Sequence, residues 1–261
     1  MITQSNFSPF ELERYSRQIR IEGFGLESQC RLKAATVMIS RVGGVGGAVA
    51  MNLASAGVGR LVIAHGGRIV PEYLNRWHLV LPSDVDRPCT EVFVERLKAI
   101  NPDMDVIAIP ENINEDNVAD LVSKADLVVD GAPLFEERYL MNQEVVRQGK
   151  PLVMGAVYST QCYVTTIMPG ETPCLACIYP EKPDYWTNIK VFPVIGPVAV
   201  TVGSMVAMEA IKVLTGFGHP LKNILWYSDL ETNVVQRLRI NRQPDCPICG
   251  ELALKNSSLS K

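Results

Sequence analysis

The chain has 261 residues, 47% of them hydrophobic, enough for a sizeable buried core and too apolar for a disordered chain. Its 25 Lys and Arg against 28 Asp and Glu leave a net charge of −3, which offers no basic field to a nucleic-acid backbone. Seven cysteines are too few for a disulfide scaffold at this length, and the odd number speaks against full pairing, so a reducing cytoplasm is expected.

The first twenty residues mix charged and apolar side chains without a hydrophobic segment, so no secretory signal is expected. Residues 11–33 have helical periodicity, with Leu12, Tyr15 and Ile19 on one face, and predict opening helices. ATVMIS at 35–40 reads as a buried strand running into a glycine cluster. A helix over 45–57, stopped by Gly57 and Gly59, and a second buried strand at 60–65 follow. Strand, glycine turn, helix and strand in this order form a βαβ crossover, which implies a parallel sheet. The alternation continues through a helix over 91–100, a strand at DVIAIP, a helix over 116–123, a strand over 125–132, a helix ending at Gly149 and a strand at PLVMGAVY. CYVTTIMP, ILWYSDL and VVQRLRI then alternate with period two and predict antiparallel strands. Residues 191–208 carry no charge over nearly the length of a spanning helix. Pro193, Gly196, Pro197 and Gly203 interrupt them and Glu209 and Lys212 follow, so they predict a loop feeding a buried core helix, with no membrane partner.

Two C-x-x-C pairs, Cys174 with Cys177 and Cys246 with Cys249, have the spacing of a zinc knuckle. Four like ligands leave no open position for substrate, so such a zinc is structural; a pair of redox dithiols or unrelated thiols is the alternative. RVGGVGG at 41–47 sits in the first strand-to-helix turn, where glycines let a backbone approach phosphate and a helix N-terminus offers amides. In the G-x-G-x-x-G register Arg41 replaces the first glycine, Gly43 and Gly46 keep the second and third, and Gly44 lies between them. An arginine there either adds a phosphate contact or blocks the loop, and close helix-to-sheet packing would also account for the glycines. A nicotinamide-dependent oxidoreductase is disfavoured, because His65 stands where the second strand should end in an acidic residue.

With ERYSRQI at 13–19, LASAGVGRL at 53–61, LNR at 74–76, INP at 100–102, GETPCLAC, GSMVAMEAIKVLTG at 203–216 and CPICG in this order, the chain resembles the HesA/MoeB/ThiF family, bacterial relatives of ubiquitin-activating enzymes. Gly66-Gly67 and PCLACIYPEKP place it nearest the HesA branch, usually met near nitrogen-fixation genes. The resemblance implies a single α/β domain over 1–250, a Rossmann-like parallel sheet flanked by helices and continuing into antiparallel strands. A nucleotide-binding half would span about 30–150, a zinc and carrier-docking half about 151–250, and 251–261 would be a mobile tail. It also implies that ATP and magnesium bind around Arg41, Gly43, Gly44, Gly46, His65 and Asp130, and that the C-terminal carboxylate of a ubiquitin-like sulfur carrier is adenylated. Arg76 would act on the phosphates, and Arg17 would be lent across a homodimer interface.

Several family positions carry other residues. His65 replaces the aspartate that holds the ribose, Tyr73 and Trp77 replace an asparagine and a glutamine, Cys89 aligns with the phosphate lysine, and Pro133 with the magnesium aspartate. Asn188 falls where some members carry a crossover cysteine, and Tyr185 and Trp186 beside it could meet a partner's tail. Asp130 could stand in as a metal ligand and Lys98 or Arg87 as the missing cation, while Cys89 would be reactive if its loop lay beside Arg76 or Arg87. Two readings follow: an adenylyltransferase with rearranged catalytic residues, or a catalytically silent relative that serves as a scaffold or pairs with an active paralogue.

Overall fold

The structure, a computed structural model, describes residues 7–183 and 192–250. Tyr185, Trp186, Asn188 and the 251–261 segment lie outside the described residues. The opening periodicity resolves into three short helices, α1 (Pro9–Arg14), α2 (Ser16–Ile19) and α3 (Gly25–Ala34). Ser8 and Glu11 cap α1 reciprocally, each side chain accepting from the other's backbone N–H. Gly23 and Gly25, at φ +80° and +64°, turn the chain between α2 and α3.

The expected alternation then runs through β1 (Thr36–Ser40), α4 (Gly44–Ala56), β2 (Arg60–Ala64), α5 (Cys89–Ile100), β3 (Asp105–Ile109), α6 (Val118–Ser123), β4 (Leu127–Asp130), α7 (Phe135–Gln148) and β5 (Leu152–Tyr158). These five strands are parallel, in the order β3-β2-β1-β4-β5. After them come β6 (Gln161–Ile167), α8 (Leu175–Ile178), α9 (Gly196–Thr215), β7 (Ile224–Asp229) and β8 (Val234–Arg239). β6, β7 and β8 extend the same sheet in antiparallel pairing to eight strands, so the fold is the mixed α/β class expected.

Side chains alternate across the sheet and build two cores. Val37, Ile39, Leu61 and Ile63 meet Val49 of α4, Phe93 of α5 and Val202 of α9, whereas Met38, Val62 and Val128 meet Leu121 of α6 and Met141 of α7. Burying each such side chain contributes about 2 kcal/mol, so both helix layers are held by the sheet they cover.

α9 is long and apolar enough to cross a membrane by length and composition, but it packs as a core helix. It crosses α4 at Gly203, where a Cβ would stand 2.5 Å from that of Ala48 and 2.7 Å from the Val45 carbonyl oxygen. Its Glu209 is buried, accepting from Thr166 Oγ1 at 2.8 Å and Leu221 N at 2.6 Å, with Lys212 Nζ at 2.5 Å. β8 forms as its alternation predicts, yet all six residues are exposed because it is an edge strand with neither face covered by the described residues.

Candidate functional site

The strand order changes direction at β1, which has β2 on one side and β4 on the other, so the loops after these strands diverge and leave a crevice. A cavity of about 520 Å³ opens there. Its wall comprises Arg41, Gly43, Gly44 and Val45 after β1, His65 after β2, Tyr73, Arg76 and Trp77 from the following turn, residues 131–133 after β4, Phe135 and Arg138 of α7, and side chains of β5 and β6.

The glycine loop is shaped by contact. A Cβ on Gly46 would stand 2.1 Å from the Arg41 carbonyl oxygen, and one on Gly131 would stand 2.9 Å from that of Ser40. A Cβ on Gly43 would lie 3.2 Å from Trp77 Nε1, so the indole rests against bare backbone. Arg41, in place of the first glycine, still adopts a glycine-like φ of +62°. Its guanidinium is tied to Glu137, with Nε 2.9 Å from Oε2 and Nη2 2.5 Å from Oε1.

Two further guanidiniums reach the cavity. Arg76 donates through Nη1 to the Glu72 carbonyl oxygen at 2.6 Å and to Asn75 Oδ1 at 2.9 Å, and lies 5.8 Å from the Tyr73 ring centre. Arg138 donates to the carbonyl oxygens of Ala132 at 2.8 Å and Gly155 at 3.2 Å. Behind it Asp130 is buried outside the cavity wall, with Oδ2 3.5 Å from Arg138 Nη1 and Oδ1 accepting from Ala132 N. Burial raises the Asp130 pKa, and Arg138 acts in the opposite direction.

His65 is 4% exposed, its ring edge-on to Trp77 at 5.0 Å and Phe93 at 5.3 Å. Burial, aided by the charge of Arg41, pushes its pKa down to about 3, so the imidazole is neutral, and Nδ1 has no hydrogen-bond partner among the described residues. Trp77 in turn stacks on Tyr73 with ring centres 3.7 Å apart. The substituted residues therefore form one aromatic wall.

Other expected participants lie elsewhere. Arg17 is exposed on α2 and does not line the cavity. Arg87 is paired with Asp84 and Glu95, Lys98 donates to the Met104 carbonyl oxygen, and neither supplies a cation to the cavity. The conditional reactivity of Cys89 is corrected: the residue opens α5 at 1% exposure, and burial pushes its thiol up to about 11. Sequence reasoning missed Glu137 and Arg138, because Glu137 meets Arg41 from 96 residues away and no local pattern marks either partner.

Beside α7 the four knuckle cysteines converge, all buried, with their sulfurs within 4.8 Å of one another. Cys174 and Cys246 Sγ are 3.7 Å apart, and Cys177 and Cys249 Sγ 3.4 Å. A tetrahedral zinc with bonds of about 2.3 Å needs sulfur separations of about 3.8 Å, so the donor set fits a closed site. The surroundings also supply donors. Asn142 accepts from Leu175 N through Oδ1 and its side chain also acts on the Cys174 thiol, while Arg242 donates through Nε to the Cys249 carbonyl oxygen and its guanidinium acts on the Cys249 thiol. Thiolates are the acceptors that such donors suit.

The ThiF family profile matches residues 15–248. Protein HesA, heterocyst, of Trichormus variabilis is 44% identical over 245 residues, covering 94% of this chain and 91% of that protein. The sulfur carrier protein adenylyltransferase of Thermus thermophilus is 38% identical over 249 residues, 92% of each chain. The structure of E. coli MccB with ATP superposes with a TM-score of 0.80 at 25% identity, covering 95% of this chain and 76% of that one.

Proposed function

Because the chain belongs to the ThiF family, we propose that its cavity binds ATP and that the protein adenylates the C-terminal carboxylate of a ubiquitin-like sulfur carrier, in sulfur transfer or cofactor maturation. The observation that carries this reading is the cavity itself, a glycine loop opening α4 at the strand-order switch with three guanidiniums around one space. In the reaction a carboxylate oxygen attacks the α-phosphorus, the bond to the oxygen bridging the β-phosphate breaks, and pyrophosphate leaves. Negative charge accumulates on the departing oxygens, which Arg41 and Arg76, both in the cavity wall, would meet alongside the amides of Gly43 and Gly44. Neutral His65 would exchange a hydrogen bond with a ligand hydroxyl or amine, and the Tyr73–Trp77 stack gives a ring an apolar surface. The cysteine cluster would hold a structural zinc, and Arg17 would act from the second copy of a cytoplasmic homodimer.

The catalytically silent reading has its own support, since Pro133 and Ala132 occupy the loop after β4 and no carboxylate is among the described residues of the wall. ATP–pyrophosphate exchange in the presence of purified candidate carriers separates the two. Carrier-dependent exchange supports adenylation; ATP binding without exchange supports a nucleotide-binding scaffold or the inactive half of a heterodimer. Failure to bind ATP overturns the cavity assignment.

A further inference from the structure

The charge arrangement of the cavity does not suit a divalent cation. Magnesium takes hard oxygen ligands, typically one or two carboxylates alongside phosphate and water. Among the described lining residues there is no Asp or Glu, and the charged groups are Arg41, Arg76 and Arg138. The two carboxylates immediately behind the wall are engaged, Glu137 with Arg41 and Asp130 with Arg138 and the Ala132 amide. A dication beside the phosphates would meet guanidiniums instead of ligands.

Arg41 is built to face an anion. Its backbone holds the left-handed turn that opens the loop, and Glu137 grips the Nε and Nη2 side of the guanidinium. That grip fixes the plane of the group at the cavity wall and engages only Nε and Nη2, so that Glu137 does not take up Nη1. Buried His65, in the same wall and with Nδ1 unpartnered among the described residues, is an independent mark of a ligand that brings a hydrogen-bonding group. Resting on the nucleotide reading above, we propose that this site takes its polyphosphate ligand without a divalent cation, Arg41 supplying the neutralising charge that a metal would otherwise bring.

The test is calorimetric titration of the full chain with ATP and, separately, with inorganic tripolyphosphate, each in EDTA and in excess magnesium chloride. The wild-type chain is expected to bind ATP in EDTA at least as tightly as with magnesium. Arg41→Gly, which suits the left-handed turn and removes only the side chain, is expected to lose about tenfold or more of the affinity in EDTA, the worth of a charge-assisted hydrogen bond. Tightening of wild-type ATP binding by about tenfold with magnesium overturns the proposal and leaves the nucleotide reading intact. Tripolyphosphate binding in EDTA without ATP binding overturns the nucleotide reading and keeps the metal-free site. Binding of neither anion overturns both. Unchanged or tighter binding by Arg41→Gly overturns the role given to Arg41, the tighter case identifying it as a block in the loop.

Discussion

Acidification should destabilise the fold through His65 before the buried histidine itself takes a proton. The native imidazole titrates near 3 and the unfolded one near 6.5, so the folded pKa is depressed. Between those values the unfolded chain binds a proton that the native state refuses. The contribution is therefore complete above pH 6.5 and is lost as pH falls toward 3. Relative to pH 7.5, this one group removes on the order of 1 kcal/mol at pH 5.5 and about 2–3 kcal/mol at pH 4.5. Urea unfolding followed by tryptophan fluorescence at the three pH values reads the loss. Carboxylates also titrate in this range, so the comparison is with His65→Leu, a similar volume in a pocket already bounded by Trp77 and Phe93. The variant should lose stability with pH less steeply than wild type by those increments. Parallel pH profiles for the two chains would refute the argument, because His65 would then titrate alike in both states.

Gly46→Ala places a methyl group 2.1 Å from the Arg41 carbonyl oxygen, and the expected cost is about 3 kcal/mol, read as a fall of about 6–12 °C in Tm together with loss of ligand binding. Cys89 in the native protein should react with iodoacetamide at pH 8 at least about 100-fold more slowly than in urea, because burial leaves about one thiol in a thousand ionised; peptide mass spectrometry measures both rates. Elemental analysis should find one zinc per chain, and Cys177→Ser should lose the metal and melt at lower temperature, since a structural zinc contributes directly to folding. A Cys177→Ser chain with unchanged Tm would remove the metal from the account of the fold.

The parallel half of the sheet was legible because each strand is a short β-branched run and each helix a periodic one, properties that a dozen residues carry alone. The glycine loop and the cysteine pairs were legible for the same reason, their chemistry being written in spacing. What the sequence concealed depends on where the chain returns. Glu137 has an ordinary helix-face setting until β4 is laid beside β1, which brings the start of α7 to Arg41. Tyr73 and Trp77 looked like isolated substitutions, and only the turn after β2 stacks them on each other and sets Trp77 against Gly43. Asp130 keeps its position at the end of β4, but Arg138 covers it, so its identity survived while its availability did not. The exposure of β8 was equally hidden, because period-two alternation fixes which side chains share a face and not whether anything covers that face.

α7 joins the two sites. Phe135 and Arg138 line the cavity and Glu137 holds Arg41, while Asn142, four residues beyond Arg138 and so on the same helix face, accepts from Leu175 N inside the first cysteine knuckle. Tyr139 adds a second tie, donating from its hydroxyl to the Tyr179 carbonyl oxygen just past that knuckle. The second knuckle reaches the same place through sulfur, since Cys246 and Cys249 sit against Cys174 and Cys177. A metal there would have no open position for chemistry, so any influence on the ligand must pass through the placement of α7. The helix is also anchored independently, Met141 and Val145 packing among the residues that cover one sheet face. Freeing the knuckles therefore loosens the start of α7 more than it weakens the sheet. The distinguishing consequence is order: as the metal is withdrawn, affinity for the cavity ligand should fall before the far-ultraviolet signal of the fold does, because Arg41 depends on Glu137 and the strands do not.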